Sequence, residues 1–179
     1  MSQQTEGEQT GSTPDETQSP DTESESAGLS GLSFTLYMRP AASTVTRERQ
    51  TRTRERFESL LDIEETESAT IERWDKQVTV DGEGTTTDEE IIELFDEFKQ
   101  ETDRVGARLE PFFEERTVVN NFFSQSSKER LLVFPVFCIT VRREEDLVGL
   151  YPCWRDAVHY SVNDCLNTLE AGGSVTNLT

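Results

Sequence analysis

Leu131-Leu132-Val133-Phe134-Pro135-Val136-Phe137-Cys138-Ile139-Thr140-Val141 is the longest apolar stretch of the chain, and its reading decides the fold. Both parities are apolar. A strand with one wet face alternates, whereas one covered on both faces does not, so this segment is expected at the centre of a sheet with helices on each side. Arg142-Arg143-Glu144-Glu145-Asp146 reads as a turn, and Leu147 to Tyr151 as a strand returning antiparallel. Beyond it, Ser161 is placed to cap a helix that carries Val162, Cys165, Leu166 and Leu169 and closes at Gly172-Gly173.

Upstream, Ser33 to Met38 alternates, with Phe34, Leu36 and Met38 on one side, and predicts a strand ended by Arg39-Pro40. A helix follows from about Thr44 to Asp62. At 100° per residue, Phe57, Leu60 and Leu61 cluster with Thr46, Gln50 and Thr53, while Glu48, Glu55, Glu58 and Asp62 share the opposite face. Ala69 to Val80 predicts a second strand, and Asp81-Gly82-Glu83-Gly84 a loop. Thr87 with Glu90 has the spacing of a capping box before a helix bearing Ile91, Ile92, Leu94, Phe95 and Phe98, which fades near Gly106. Arg108 to Val119 reads as extended and irregular, interrupted by Pro111.

The expected architecture is a single α/β domain (α+β as the alternative) over residues 32–172, a mixed sheet with helices on both faces. Residues 1–31 are expected as a disordered acidic tail, and 173–179 as a flexible C-terminus. The order of strands and helices resembles the thioredoxin-like topology, in which a strand-helix-strand unit joins a strand-strand-helix unit through a linking helix. The Cys-x-x-Cys of that topology is replaced here by Arg39-Pro40-Ala41-Ala42.

Across 179 residues, 36 acids face 17 bases, for a net charge of −19. Seven of the acids lie in the first 31 residues, which hold no Lys, Arg or aromatic. All ten Phe and both Trp come later, where a core can form. Of the 17 bases only Lys76, Lys99 and Lys128 are lysine. An acid-coated, Lys-poor chain fits a molar-salt cytoplasm, because concentrated salt screens self-repulsion. A membrane span needs about 18 consecutive apolar residues, and none occurs. Met1 to Leu32 lacks the basic start and apolar run of a secretory signal, so a cytoplasmic location is expected.

Arg39, Arg47, Arg49, Arg52, Arg54 and Arg56 place six of the 17 bases within 18 residues. They are either a phosphate-contacting helix or a solvated flank, with Glu48–Arg52 and Arg54–Glu58 spaced for pairing one turn apart. Around the helix, Arg47 and Arg54 fall on one side of the apolar stripe and Arg49, Arg52 and Arg56 on the other. Five phosphate contacts would lose about four to five decades of affinity between roughly 0.2 and 2 M salt.

Cys138, Cys153 and Cys165 show no zinc-ligand spacing, and three cysteines suit a reducing interior. Cys138 and Cys165 occupy apolar positions. Cys153, beside Trp154-Arg155, is the candidate reactive thiol, since a nearby cation favours the thiolate. Asp156, His159 and Ser161 contain the residue types of a hydrolase triad but crowd into six positions without a nucleophile elbow, and Ser161 is better explained as a cap. Asp81-Gly82-Glu83-Gly84 would repel phosphate. Phe112-Phe113 and Phe122-Phe123 are either core or a partner surface. No catalysis, cofactor or metal is expected.

The stretch Tyr151-Pro152-Cys153-Trp154-Arg155-Asp156-Ala157-Val158-His159-Tyr160-Ser161-Val162-Asn163-Asp164-Cys165-Leu166, with Leu36-Tyr37-Met38-Arg39 and Pro111-Phe112-Phe113-Glu114, resembles a family of small haloarchaeal proteins labelled "HTH domain protein". The resemblance spans most of residues 33 to 171 and implies DNA binding and transcriptional regulation. The alternatives are a thioredoxin-like thiol protein acting through Cys153, or a homo-oligomeric or protein-binding scaffold.

Overall fold

A computed structural model describes residues 29–59, 66–80, 86–122 and 125–179. The expectations for the tail before residue 29, for Leu60 and Leu61, for the loop at 81–84 and for Phe123 lie outside the described residues. The elements are β1 (Leu32–Met38), α1 (Thr44–Glu58), β2 (Thr66–Arg73), β3 (Gln77–Thr79), α2 (Thr86–Arg104), β4 (Glu114–Phe122), β5 (Gln125–Val133), β6 (Phe137–Arg143), β7 (Asp146–Tyr151), β8 (Cys153–Arg155), β9 (Val158–Tyr160) and α3 (Val162–Glu170).

The fold is mixed α/β. Its main sheet has four strands in the order β2-β1-β6-β7. β1 and β2 run parallel on either side of α1, β6 is antiparallel to β1 with Leu36 opposite Ile139, and β7 returns antiparallel to β6. β3-β5-β4 form a separate antiparallel ribbon and β8-β9 a short hairpin.

The alternation of β1 sends Leu32, Phe34, Leu36 and Met38 to one face. There they meet Phe57 of α1 and Val162, Cys165, Leu166 and Leu169 of α3. On the other face Cys138 of β6 and Leu150 of β7 pack with Phe95 and Phe98 of α2 and with Trp74, Phe113 and Phe134. Both parities of β6 are therefore covered, Ile139 and Val141 on one side and Cys138 on the other, all fully buried. That is the physical reason its sequence does not alternate.

Leu131–Val141 is nevertheless not one strand. Leu131, Leu132 and Val133 end β5 in the ribbon, and only Phe137 onward belongs to the main sheet. The break falls at Phe134-Pro135-Val136, where proline has no N–H to donate and restricts the residue before it. Ala69 to Val80 divides in the same way into β2 and β3, at Trp74-Asp75-Lys76. The two breaks lie against each other. Phe134 N donates to the Lys76 carbonyl at 3.0 Å, Trp74 Nε1 to the Pro135 carbonyl at 3.2 Å, and the Trp74 and Phe134 rings sit 5.0 Å apart.

Residues 173–179, expected as a flexible C-terminus, pack against the main sheet. Val175 and Leu178 are fully buried. Tyr151 Oη donates to the Val175 carbonyl at 2.9 Å, Leu178 N to the Val148 carbonyl at 3.0 Å, and Asn177 exchanges two hydrogen bonds with the backbone of Leu150. The segment is a strap across β7.

The helix-turn-helix pair that the resemblance implies requires two helices joined by a short turn. Among the described residues, β2 and β3 separate α1 from α2, and six strands separate α2 from α3. No helix among them is long and apolar enough to cross a membrane.

Candidate nucleic-acid interface

α1 begins at Ser43, whose backbone is extended and whose hydroxyl accepts a hydrogen bond from Thr46 N at 3.1 Å. The helix buries only Thr53 and Phe57, so it rests on the sheet by a narrow stripe and leaves most of its circumference in water. The five arginines of α1 divide by what they meet. Arg54 Nε pairs with Glu58 at 2.7 Å one turn on. Arg56 reaches α3, with Nε at 2.7 Å and Nη2 at 3.0 Å from the two oxygens of Glu170, and Nη2 at 2.7 Å from Asn167 Oδ1. Its hydrogen bond holds the Glu170 carboxyl below the usual range. The guanidinium groups of Arg47, Arg49 and Arg52 have no ion-pair partner among the described residues, and the Glu48–Arg52 pair allowed by spacing is not formed.

Arg49, Arg52 and Arg56, spaced three and four apart, line one wall of a cleft of about 450 Å³ between α1 and the start of α3. Its floor is Pro135, Val136, Phe137 and Pro152, and its far wall includes Phe112, His159, Ser161 and Asn163. Arg47 faces a second cleft of about 290 Å³, which it lines with Arg39 and Arg73. Among the described residues, no acid lines either cleft. α1 carries five arginines against Glu48, Glu55 and Glu58 and runs between these two grooves, on a chain of net charge −19.

The far wall was not legible in sequence. His159 is sandwiched between Phe112 (ring centroids 4.8 Å apart, planes at 15°) and Trp154 (5.3 Å, 27°). Arg108 and Trp154 exchange backbone hydrogen bonds of 2.7 and 2.9 Å, which brings Phe112 and the β8-β9 hairpin together. These residues come from segments more than forty positions apart.

Ser161 is a helix cap. Its hydroxyl is 2.6 Å from Asp164 Oδ2, its backbone N 2.8 Å from the same oxygen, and it accepts from Asp164 N at 3.1 Å, a complete capping box. Hydrogen bonds from the Ser161 hydroxyl and backbone hold the Asp164 carboxyl below its usual range. Asp156 lies at an exposed tip with φ 51°, so the three residues of hydrolase-triad type are a turn, a stacked ring and a cap.

Cys153, the candidate reactive thiol, is fully buried, and burial pushes its thiol up to about 11, although an Asn177 hydrogen bond at 3.3 Å and the Arg155 charge oppose the rise. Desolvation outweighs the adjacent cation. Arg155 itself turns to the C-terminal strap, donating to the Asn177 carbonyl at 2.7 Å. Cys138 and Cys165 are buried in the two cores, and burial raises both. Phe113 is core; Phe112 is half-buried at the cleft.

A family model described as a helix-turn-helix domain matches residues 27–174. No curated protein and no solved structure matches the chain.

Proposed function

The chain belongs to the helix-turn-helix domain family, and from that premise we propose that it is a DNA-binding transcriptional regulator that grips the phosphate backbone through α1. The observation that carries this reading is the set of three guanidinium groups, Arg47, Arg49 and Arg52, that no described carboxylate neutralises on an exposed helix. The net charge of −19 repels a polyanion at long range. In molar salt the Debye length falls to about 3 Å, which removes that repulsion, while each phosphate contact loses about 0.9 decade of affinity per tenfold rise in salt. The acidic, Lys-poor composition supports a haloarchaeal cytoplasm as the setting, and the regulator is non-catalytic.

The strand order β2-β1-β6-β7, with β1 and β2 parallel and the β6–β7 pair followed by α3, supports the likeness to thioredoxin-like topology. The burial of Cys153 argues against thiol chemistry at that residue.

Fluorescence anisotropy of the full chain with labelled duplex DNA, at about 0.5 to 3 M KCl to span the screened regime, tests the reading. Arg49→Glu with Arg52→Glu is expected to abolish binding with the circular dichroism spectrum unchanged. Undiminished binding by that variant would show that α1 is not the contact.

A further inference from the structure

We propose that the cleft between α1 and α3 is an effector site for a small organic anion, a carboxylate or phosphate monoester carrying a planar apolar body, whose binding competes with DNA for Arg49 and Arg52. The competition rests on the reading of α1 above; the ligand site stands on the cleft alone.

The cleft volume of about 450 Å³ lies within the range of about 300–1,000 Å³ typical of small-molecule sites. Its charge is one-sided. No described acid lines this cleft, whereas three arginines and the chain's only histidine do. Arg56 is already neutralised by Glu170 and acts as a fixed wall joining α1 to α3. Among the described residues Arg49 and Arg52 have no such partner, and a planar oxyanion suits the forked donors of a guanidinium.

The floor and the Phe112 part of the far wall are apolar and held in place. Phe112 is braced by the stack through His159 to Trp154, and Phe137 and the two prolines add carbon surface without hydrogen-bonding demand. A ligand with an anionic head and a flat body satisfies both walls, whereas an inorganic ion satisfies one. The start of α3 adds little beyond its dipole, because the capping box already uses Ser161 N and Oγ. Asn163, exposed on the first turn of α3, stands at the cleft as a polar rim.

Isothermal titration calorimetry on the full chain in about 2 M KCl, where distant charges are screened, tests the site with phenyl phosphate, benzoate and phenol as probes. At least one anion is expected to bind about tenfold more tightly than phenol, roughly the value of one charge-assisted hydrogen bond. Arg49→Gln with Arg52→Gln should erase that preference. Asn163→Trp, which occludes the cleft without touching a cation, should weaken the anion about tenfold while leaving DNA affinity intact. If neither anion outbinds phenol, or if Asn163→Trp binds the anion like the parent, the ligand site is overturned. Adding the anion to the DNA anisotropy assay reads the competition, and an unchanged DNA affinity would overturn that half. Calorimetric binding without any DNA binding would instead retain the ligand site and remove the DNA reading.

Discussion

The backbone carbonyl of Val175 occupies the space that a Cβ on Gly149 would need, and the Val141 side chain closes the same position at 3.0 Å. Glycine is required here by the close approach of the C-terminal strap to β7, because one methyl group would have to displace backbone on one side and core on the other. Gly149→Ala is expected to destabilise the fold by about 1–3 kcal/mol, the usual cost of overpacking, read as a shift of the urea midpoint. An unshifted midpoint would mean that the strap is not seated on β7.

Deletion of residues 174–179 tests the strap from the other side. Val175 belongs to the α1/α3 core and Leu178 to the α2 core, so one short segment seals both faces of the sheet. Losing two fully buried aliphatic side chains should cost about 3–6 kcal/mol. Removal of a freely moving end would leave the thermal midpoint unchanged.

Stability is expected to fall on the alkaline side. Cys153 is raised from 9.0 to about 11 and Tyr37 from 10.0 to about 12, each chiefly by burial, and Cys138, Cys165 and Tyr151 are raised in the same sense. The folded chain holds these protons more tightly than the unfolded chain does. Their contribution is therefore complete below about pH 9 and is lost as pH rises through about 9 to 12. Cys153 alone accounts for about 3 kcal/mol of that loss. Urea unfolding at pH 8 and pH 10.5 reads the difference, and iodoacetamide should leave native Cys153 unmodified at pH 8 but alkylate the unfolded chain. Rapid native labelling at pH 8 would contradict the burial.

Several features were legible because local chemistry decides them. The alternation of β1, the Ser161 cap and the turn before β7 each depend on a few adjacent residues, and the apolar parities of β6 anticipated helices on both faces. The helical spacing of Arg49, Arg52 and Arg56 also anticipated their shared side of α1. Long-range packing decides the rest. Pro135 divides one apolar run, and Trp74 ends the first half of one expected strand, between two sheets, where each break completes the other's hydrogen bonds. Val175 and Leu178 sit among Gly, Ser, Thr and Asn, which reads as loose chain, yet β7 offers them a groove. Arg155 stands two residues from a thiol in sequence, but desolvation of Cys153 outweighs its charge. Phe112, His159 and Trp154 carry no shared periodicity, so their stack is visible only in three dimensions.

The most direct test of the account is the slope of log K against log salt for duplex DNA, measured on the parent chain and on Arg47→Gln, Arg49→Gln, Arg52→Gln combined. Each phosphate contact contributes about −0.9 to that slope, so the triple variant should bind more weakly and show a slope shallower by about 2.7. Parallel lines for the two proteins would contradict the assignment of α1 as the phosphate-gripping element.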